Sequence, residues 1–470
     1  MNSRPLAPAG LPASPAARPS ALSPRGKMRR SVTLARADRL GPVFFSALAW
    51  LLFDLGRPYT PPGLPLVISG VLLIDWSLKK EKQLGPRWIW WLVLLGVTAS
   101  GVLLAANTYS AYFYTRLLGI LFLGFCLPLQ GLLTSLRHVR WYVYSLILIA
   151  FYVGFWATTH GGFGPAGGAG QDENYTAALM TVGAALAYFS FFTVKRLWVR
   201  LALGAAMCTF VAAMAVADNP SRGGFLALIS VALYCLWRSP RKLMGVSIIA
   251  ALGAALVLFA GDHFWKEIDT TTDYESGTGD MRLEVWKAGI RMWKGNPVLG
   301  VGAGNLRWVI GDYQSEEQFE KFGRSLGGSI IAHSSHVEML AETGSVGALA
   351  MILLTWSTWS GLGKLRPPKR KPGEPPLHPD LVELGHYADA VRCAILAVLV
   401  NGTFLSLFYY SHLWVLIAAG TAMPYVHRRI LQREGLLAAN GPSRSIVTNN
   451  TVAPRRPMGH GRVLSPRRKA

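Results

Sequence analysis

The sequence predicts an all-α, polytopic membrane protein with about 12 transmembrane helices and one large loop on the non-cytoplasmic side. The chain of 470 residues is 51% hydrophobic and only 15% charged, and its mean hydropathy is +0.31. Soluble globular chains carry about 25% charged residues. The apolar residues also fall in blocks of roughly 17–20, the length that a helix needs to cross a hydrocarbon core.

The apolar blocks divide into two groups on either side of a polar stretch. Nine lie in residues 41–261 and three in residues 344–426. Each approaches the length of one transmembrane helix, which is about 20 residues. In chain order the blocks are 41–56, 61–77, 87–106, 115–134, 141–158, 175–194, 198–217, 223–237, 243–261, 344–363, 388–407 and 409–426.

The Lys and Arg residues fix the predicted orientation. They follow the even-numbered blocks, for example at Lys79, Lys80 and Lys82, whereas the odd-numbered connections are poor in them. Because cytoplasmic loops carry the excess of Lys and Arg, both termini are predicted to be cytoplasmic. The formal net charge of +22 follows from this topology and favours membrane lipids as partners over nucleic acid.

The two tails have a different composition from the apolar middle. Residues 1–40 are rich in Pro, Ala, Ser and Arg and have no apolar period, and residues 427–470 are also basic. Such segments cannot bury a core, so both are predicted to be disordered cytoplasmic tails. Met28 is an alternative start, because little before it has a structural pattern.

The predicted orientation places residues 262–343 outside the cytoplasm as one large loop. The loop contains 13 of the 25 acidic residues of the chain. Connections of this length are usually functional rather than simple links. We therefore expect the functional residues here and at the outer ends of the helices beside it.

Cysteine and histidine residues indicate neither a disulfide framework nor a metal centre. All four cysteines lie within apolar blocks, where they are expected to pack as small hydrophobic side chains. His333, His336 and Glu338 include an H-x-x-H pair without a third clear ligand. This pattern is a weak zinc signal, and no metal or cofactor is predicted.

Cationic side chains at the outer ends of helices are the first candidate site residues. Arg222 lies in Ser-Arg-Gly-Gly, in a turn between the seventh and eighth blocks. A guanidinium fork beside a helix N-terminus suits a bound phosphate. Arg116 opens the fourth block at the same face, where it either contacts substrate or extends to lipid headgroups.

The loop itself contains a predicted amphipathic helix from residue 281 to 294. Leu283, Trp286, Ile290 and Trp293 share one face, and cations that include Arg291 lie away from it. The helix is predicted either to lie on the membrane surface or to pack inside the fold of the loop. In both cases Arg282, one turn before Trp286, can reach an anionic headgroup.

Two further motifs follow the amphipathic segment. Residues 296–305, Asn-Pro-Val-Leu-Gly-Val-Gly-Ala-Gly-Asn, have Asn305 in place of the last glycine of a dinucleotide loop, so we expect a sharp, close-packed turn instead. His333 then precedes a helix predicted to start near Ser334 and suits a general base or a phosphate contact. Neighbouring arginines are expected to lower the pKa of His333, and His336 is expected to pack one turn inside the helix.

Together these segments resemble the O-antigen ligase and polymerase superfamily of bacterial envelope enzymes. The matching pieces are Ser221-Arg222-Gly223, Arg282 with Trp286, the 296–305 motif, and the string that runs from His333 through Glu342 to Gly347. The resemblance covers roughly residues 175–365. In this chain Ser334 replaces the usual asparagine, and His336 is additional.

The resemblance implies a metal-independent, inverting glycosyltransferase of the bacterial inner membrane with a GT-C-like fold. Such an enzyme moves a glycan from an undecaprenyl-pyrophosphate carrier to an acceptor hydroxyl at the periplasmic face, in polysaccharide and lipopolysaccharide biosynthesis. By the resemblance, Arg222 and Arg282 hold the pyrophosphate and His333 activates the acceptor. The predicted substrate-binding residues are Arg116, Arg291, Trp286, Asn305 and Glu342.

Two alternatives accompany this prediction. One is a polymerase of the same superfamily, which extends the carrier-linked glycan. The other is a multi-pass solute transporter, which should place partnered ionisable groups near the bilayer midplane. The charges noted above lie at the outer rim instead, and Arg392 is the main candidate for a buried one. The enzyme is therefore favoured.

Overall fold

The computed structural model describes residues 39–57, 63–79, 82, 84–85, 87–166, 172–269, 278–322, 330–368 and 376–434. Within these ranges the regular structure is helical and no strand occurs, which confirms the all-α prediction. The described residues up to Ile430 belong to one compact unit. Of the second unit, 431–470, only the end of the last helix is described.

Among the described residues, each of the twelve predicted apolar blocks overlaps one helical segment. The first nine are α1 (Pro42–Leu51, continued by the π-helical turns Leu52–Gly56), α2 (Leu64–Leu78), α3 (Trp88–Leu104), α4 (Thr108–Gly119, continued to Leu132), α5 (Leu136–Ala157), α6 (Glu173–Phe191), α7 (Leu197–Ala215), α8 (Arg222–Arg238) and α9 (Lys242–Phe259). The chain between α9 and α14 (the connecting region) contains α10 (Asp262–Asp269), α11 (Thr278–Gly295), α12 (Leu306–Val309), a 3₁₀ turn (Ile310–Tyr313) and α13 (Glu316–Phe322). The chain ends with α14 (Ser335–Gly363), α15 (Pro379–Phe404) and α16 (Ser411–Arg433).

Length and hydropathy qualify part of this set as membrane spans. Among the described residues, six helices are long and apolar enough to cross a membrane: Thr108–Leu132, Leu136–Ala157, Leu197–Ala215, Lys242–Phe259, Ser335–Gly363 and Pro379–Phe404. Three shorter apolar helices are Pro42–Gly56, Leu64–Leu78 and Trp88–Leu104. The count of about 12 spans therefore stays a prediction, whereas a multi-pass apolar bundle is established.

Small residues allow the central helices to pack closely. In α6, Gly183 lies against Ala150 and the ring of Phe210, where a Cβ atom would come within 2.9 Å of both. Gly154 of α5 similarly faces Met180. Helix association in membranes depends on such close backbone approach, because lipid tails are as apolar as the side chains. Helix α6 is consequently buried along almost its whole length.

The segment predicted to be amphipathic packs into the connecting region through a different face. Val285, Ala288 and Met292 of α11 are buried against Leu306 and Ile310. Leu283, which was predicted to lie on the apolar face of the helix, is 44% exposed. This corrects the predicted apolar face. Because Ala288 and Gly289 have almost no side chain, α14 approaches closely on their side; a Cβ atom on Gly289 would meet Val337 at 2.5 Å.

Helix α14 begins nine residues before the predicted block and is broken at Gly344, where φ is 60° and ψ is −166°. The 297–302 segment fills the break. Ser345 N and Val346 N donate to the carbonyls of Pro297 and Val298 at 2.8 and 3.2 Å. The amides of Val301 and Gly302 donate in turn to the carbonyls of Ala341 and Glu342 at 2.9 and 3.0 Å. The break therefore leaves these four backbone groups satisfied, as burial requires.

Candidate functional site

His333 lies directly before helix α14, in a constrained backbone conformation. Its φ of 46° is in the left-handed region, which a residue with a Cβ atom rarely adopts. On its C-terminal side, Ser334 caps the helix and accepts a hydrogen bond from Val337 N at 3.4 Å. On its N-terminal side, Trp286 Nε1 donates to the carbonyl of Ala332 at 2.8 Å. The helix thus starts where it was predicted, and the imidazole is held outside it.

The electrostatic surroundings keep the His333 imidazole neutral. Burial of the half-exposed ring is the largest cause that lowers its pKa below the ordinary value, and the Arg282 guanidinium lowers it further. Asp172 acts in the opposite direction. The structure therefore brings His333 and Arg282 together as predicted, but desolvation has a larger effect on the pKa than the arginine does.

Arg222 is the first residue of α8, and its side chain is exposed. Ser221 caps this helix by accepting a hydrogen bond from Gly224 N at 3.1 Å. The two glycines that follow Arg222 are tightly packed, since a Cβ atom on Gly223 would meet Phe404 Cβ at 2.8 Å and one on Gly224 would meet Ala177 Cβ at 2.6 Å. The guanidinium therefore extends from a rigidly seated helix N-terminus.

Three helix N-termini meet at residues 404–407, which comprise the last residue of α15 and the three residues after it (the 404–407 segment). Ser335 N and Oγ of α14 donate to the Leu405 carbonyl at 3.0 and 2.7 Å. Tyr175 of α6 donates from its hydroxyl to the Ser406 carbonyl at 3.1 Å. Helix α8 packs its first turn on Phe404. Because a helix N-terminus attracts negative charge, this arrangement favours an anion beside Arg222 and His333.

The glycine-rich 296–305 motif forms the sharp turn that the sequence predicted. Gly300, Gly302 and Gly304 have φ values of 69°, 96° and 65°, all in the left-handed region. A Cβ atom on Gly304 would overlap the ring of Tyr114, and one on Gly300 would overlap the backbone of Glu342. Glycine is therefore required at these positions for both conformation and space.

Two predicted substrate-binding residues hold this turn in place. Glu342 is fully buried and accepts hydrogen bonds from Gly304 N at 2.7 Å, Leu306 N at 2.9 Å and the Tyr409 hydroxyl. Asn305 is also fully buried, and its amide group exchanges hydrogen bonds with the backbone of Asn107 at 2.8 and 3.2 Å. These contacts hold the turn in place, and direct contact of either residue with substrate stays a prediction.

The remaining predicted binding residues have similar internal contacts. Arg291 donates from Nε to the Tyr313 carbonyl at 2.6 Å and from a terminal nitrogen to Gln318. The Trp286 indole donates its hydrogen bond to the Ala332 carbonyl, as described above. Direct contact of these two residues with substrate stays a prediction.

The predicted place of Arg116 at a helix start is wrong. Helix α4 begins at Thr108, because Asn107 caps it by accepting a hydrogen bond from Ser110 N at 2.9 Å. Arg116 is therefore about two turns inside the helix. Its exposed guanidinium lies over the rings of Phe113 and Tyr112, with centroids at 5.6 and 5.9 Å.

His336 forms a hydrogen bond between two helices. One turn inside α14, its Nε2 atom pairs with the carbonyl of Leu399 in α15 at 3.1 Å. It was expected to pack against its helical neighbours, and it instead joins two helices. Within the described residues, no group of three or more His, Cys, Asp or Glu side chains is arranged to hold a metal ion.

Sequence reasoning missed Asp172 and considered Glu338 only as part of a weak zinc signal. Asp172 caps α6 by accepting hydrogen bonds from Asn174 N and Tyr175 N at 3.0 and 2.9 Å. An Asp before an apolar block is a readable capping signal, although its proximity to His333 is not. Glu338 lies one turn before Glu342, and among the described residues its buried Oε2 atom has no hydrogen-bond partner.

Comparison with known proteins points to one superfamily. Residues 209–352 match the family model for O-antigen ligase, and this range includes Arg222, Arg282 and His333. The chain is also similar to the exopolysaccharide production protein ExoQ of Rhizobium meliloti (strain 1021), with 26% identity over 202 residues. That alignment covers 40% of this chain and 45% of the relative, less than half of either. The predicted resemblance to the O-antigen ligase and polymerase superfamily is thereby confirmed, and residues 209–352 are the part of the chain that matches the O-antigen ligase model.

Proposed function

We propose that this protein transfers a glycan from an undecaprenyl-pyrophosphate carrier to an acceptor hydroxyl at the periplasmic face of a bacterial inner membrane. The observation that carries the proposal is the gathering of three helix N-termini at the 404–407 segment, with Arg222 on one and His333 directly before another. The reaction needs both an anion site and a proton acceptor, and this arrangement offers both.

The anion site suits a diphosphate leaving group. Cleavage of the bond between the sugar and the diphosphate leaves negative charge on the phosphate oxygens. In this proposal Arg222 and Arg282 neutralise this charge with paired N–H donors, and the helix N-termini add oriented backbone dipoles. These groups are fixed before the reaction, so they require little reorganisation as the charge develops.

His333 is proposed to act as the general base. Its lowered pKa keeps the imidazole neutral near pH 7, so one ring nitrogen can accept a proton. The acceptor hydroxyl gives that proton to His333 while its oxygen forms a bond to the anomeric carbon. The bond from this carbon to the diphosphate breaks in the same displacement, which inverts the configuration. Asp172 then stabilises the resulting imidazolium.

The proposed membrane orientation places the substrate where the reaction occurs. With about twelve spans and cytoplasmic termini, the N-terminal ends of α6, α8 and α14 lie at the outer face. A lipid carrier presents its diphosphate at this boundary. The glycan can then extend into the periplasm beside the connecting region that contains α11.

A polymerase of the same superfamily is the second candidate. The relative from Rhizobium meliloti is named for exopolysaccharide production, which favours this reading of the same site. The two activities share the donor and the base but differ in the acceptor. A ligase adds one glycan to a separate acceptor, whereas a polymerase makes a ladder of carrier-linked products.

Reconstitution tests the proposal directly. The purified protein is combined with a lipid-linked glycan donor and either an acceptor lipid or a second carrier-linked glycan. Product formation without nucleotide sugar or added metal supports the proposal, and the product sizes distinguish ligase from polymerase. An abundant, folded protein that gives no product with either acceptor would contradict it.

A further inference from the structure

A cluster of three arginines around one carboxylate lies at the other end of the helices that carry the candidate site. Arg238 donates from Nε and a terminal nitrogen to Asp389 Oδ1, at 3.2 and 3.0 Å. Arg366 and Arg392 each approach an Asp389 oxygen at 3.7 Å, which is beyond hydrogen-bond length. We call these four side chains the Asp389 cluster.

The charges of the Asp389 cluster do not balance. Three guanidinium groups face one carboxylate, which leaves two positive charges. Among the described residues, no second carboxylate lies within ion-pair distance of these arginines. The Arg392 side chain is only 14% exposed, and its buried Nε atom has no hydrogen-bond partner in the part of the chain that the structure describes. Uncompensated charge in a desolvated place is costly unless a counter-ion binds.

A neighbouring ion pair shows what a balanced arrangement looks like in the same region. Arg140 of α5 donates from Nε and a terminal nitrogen to the two oxygens of Glu383, at 2.7 and 2.8 Å. This is a bidentate pair with one charge of each sign. The Asp389 cluster has neither this geometry nor this stoichiometry, so its guanidinium groups keep spare donors.

Aromatic rings border the cluster. Trp359 and Tyr234 lie against the Arg392 guanidinium, with ring centroids at 4.9 and 6.0 Å, and Trp237 lies against Arg238 at 5.2 Å. The rings stabilise the cations without neutralising them. Arg238 ends α8 and Arg366 follows α14, so the cluster lies where the basic connections are predicted to face the cytoplasm. Basic pockets between helices on this side bind anionic lipid headgroups.

We propose that the Asp389 cluster binds the phosphate of an anionic phospholipid in the cytoplasmic leaflet. The phosphate diester supplies one of the two missing negative charges and accepts hydrogen bonds from Arg366 and Arg392. The rings of Trp359 and Trp237 flank the glycerol and the first part of the acyl chains. Asp389 spaces the guanidinium groups and keeps one of them, Arg238, hydrogen-bonded when no lipid is present.

Retention of lipid by the full-length protein tests the proposal. The protein is reconstituted in phosphatidylcholine nanodiscs with increasing phosphatidylglycerol, and bound lipid is measured by native mass spectrometry. We expect one retained phosphatidylglycerol in the parent. Binding should weaken about fivefold for each cation removed, hence about 25-fold in Arg366→Gln/Arg392→Gln. The matched control Arg140→Gln/Glu383→Gln removes a balanced pair and should bind as the parent does.

Asp389→Asn decides between a lipid site and a purely structural cluster. It removes no cation and raises the surplus to three charges, so phosphatidylglycerol should bind about fivefold more tightly. Equal retention by the parent and the double-glutamine variant, or weaker retention by Asp389→Asn, would overturn the proposal. Stabilisation by inorganic phosphate equal to that by phosphatidylglycerol would overturn the lipid assignment. None of these measurements depends on glycan transfer.

Discussion

Replacement of His333 separates its chemistry from its backbone strain. A general base contributes ~10²–10⁴-fold in rate, so His333→Ala should raise the barrier by about 2.7–5.4 kcal/mol. The backbone gives an independent expectation, because a Cβ atom at the observed φ of 46° costs about 1–2 kcal/mol. His333→Gly should therefore be equally inactive but more stable than His333→Ala, by about 1 kcal/mol. A folding defect cannot produce both results.

The assay is initial-rate transfer from a lipid-linked donor by purified variants, with thermal unfolding measured in the same detergent. His336→Ala is the matched control. Its side chain pairs with the Leu399 carbonyl, so this variant should lose some stability and keep most of its rate. Near-parental transfer by both His333 variants at every pH would refute the assignment of the base.

The pH profile gives a second test of the same residue. Only neutral His333 can accept a proton, so the rate should rise with pH through its lowered pKa. Asp172 raises this pKa, and Asp172→Asn should therefore move the acid limb to lower pH. Asn still caps the helix, which limits structural damage. If the acid limb of the pH–rate profile does not move, or moves to higher pH, Asp172 does not raise the pKa of His333.

Three further predictions concern the anion site, the turn and the topology. Arg222→Lys and Arg282→Lys should keep membrane abundance but transfer poorly, because an ammonium cannot replace a bidentate fork; parental rates in both would exclude bidentate binding. Gly304→Ala should lower stability by about 2–4 kcal/mol through overlap with Tyr114 and a left-handed φ of 65°, measured by thermal unfolding, and an unchanged midpoint would contradict this. Single cysteines in a background without the native four should react with an impermeant reagent in intact spheroplasts at position 315 only; labelling at 240 or 368 would reverse the orientation.

The apolar pattern was sufficient to predict the helical segments. Each block contains a helix because, in a bilayer, only a helix satisfies the backbone of an isolated apolar segment. The boundaries failed where polar residues take part in tertiary contacts. The apolar block at 344 marked only part of α14, which begins at Ser335 as the His333 motif predicted, because its first turns contain polar residues such as Glu342 that the rest of the fold buries.

The candidate site was predictable in part. The resemblance supplied Arg222, Arg282 and His333. In the structure the Arg282 guanidinium lowers the pKa of His333, and the helix turn that begins at Arg222 packs on the 404–407 segment. Asp172 was missed because 161 residues separate it from His333, and no local pattern records a contact over that distance. Arg116 was misplaced because the polar first turn of α4, capped by Asn107, does not show in an apolar window.

The break in α14 also constrains how this protein is assembled. Residues 297–302 are synthesised before Ser345 and Val346, yet they supply the carbonyls that pair with those two amides. Until they dock, two donors of a membrane helix lack partners, at about 1–3 kcal/mol each. The fold of α14 is therefore completed only when the preceding segment has docked. Shortening that segment should consequently impair membrane integration of the helix as well as substrate handling.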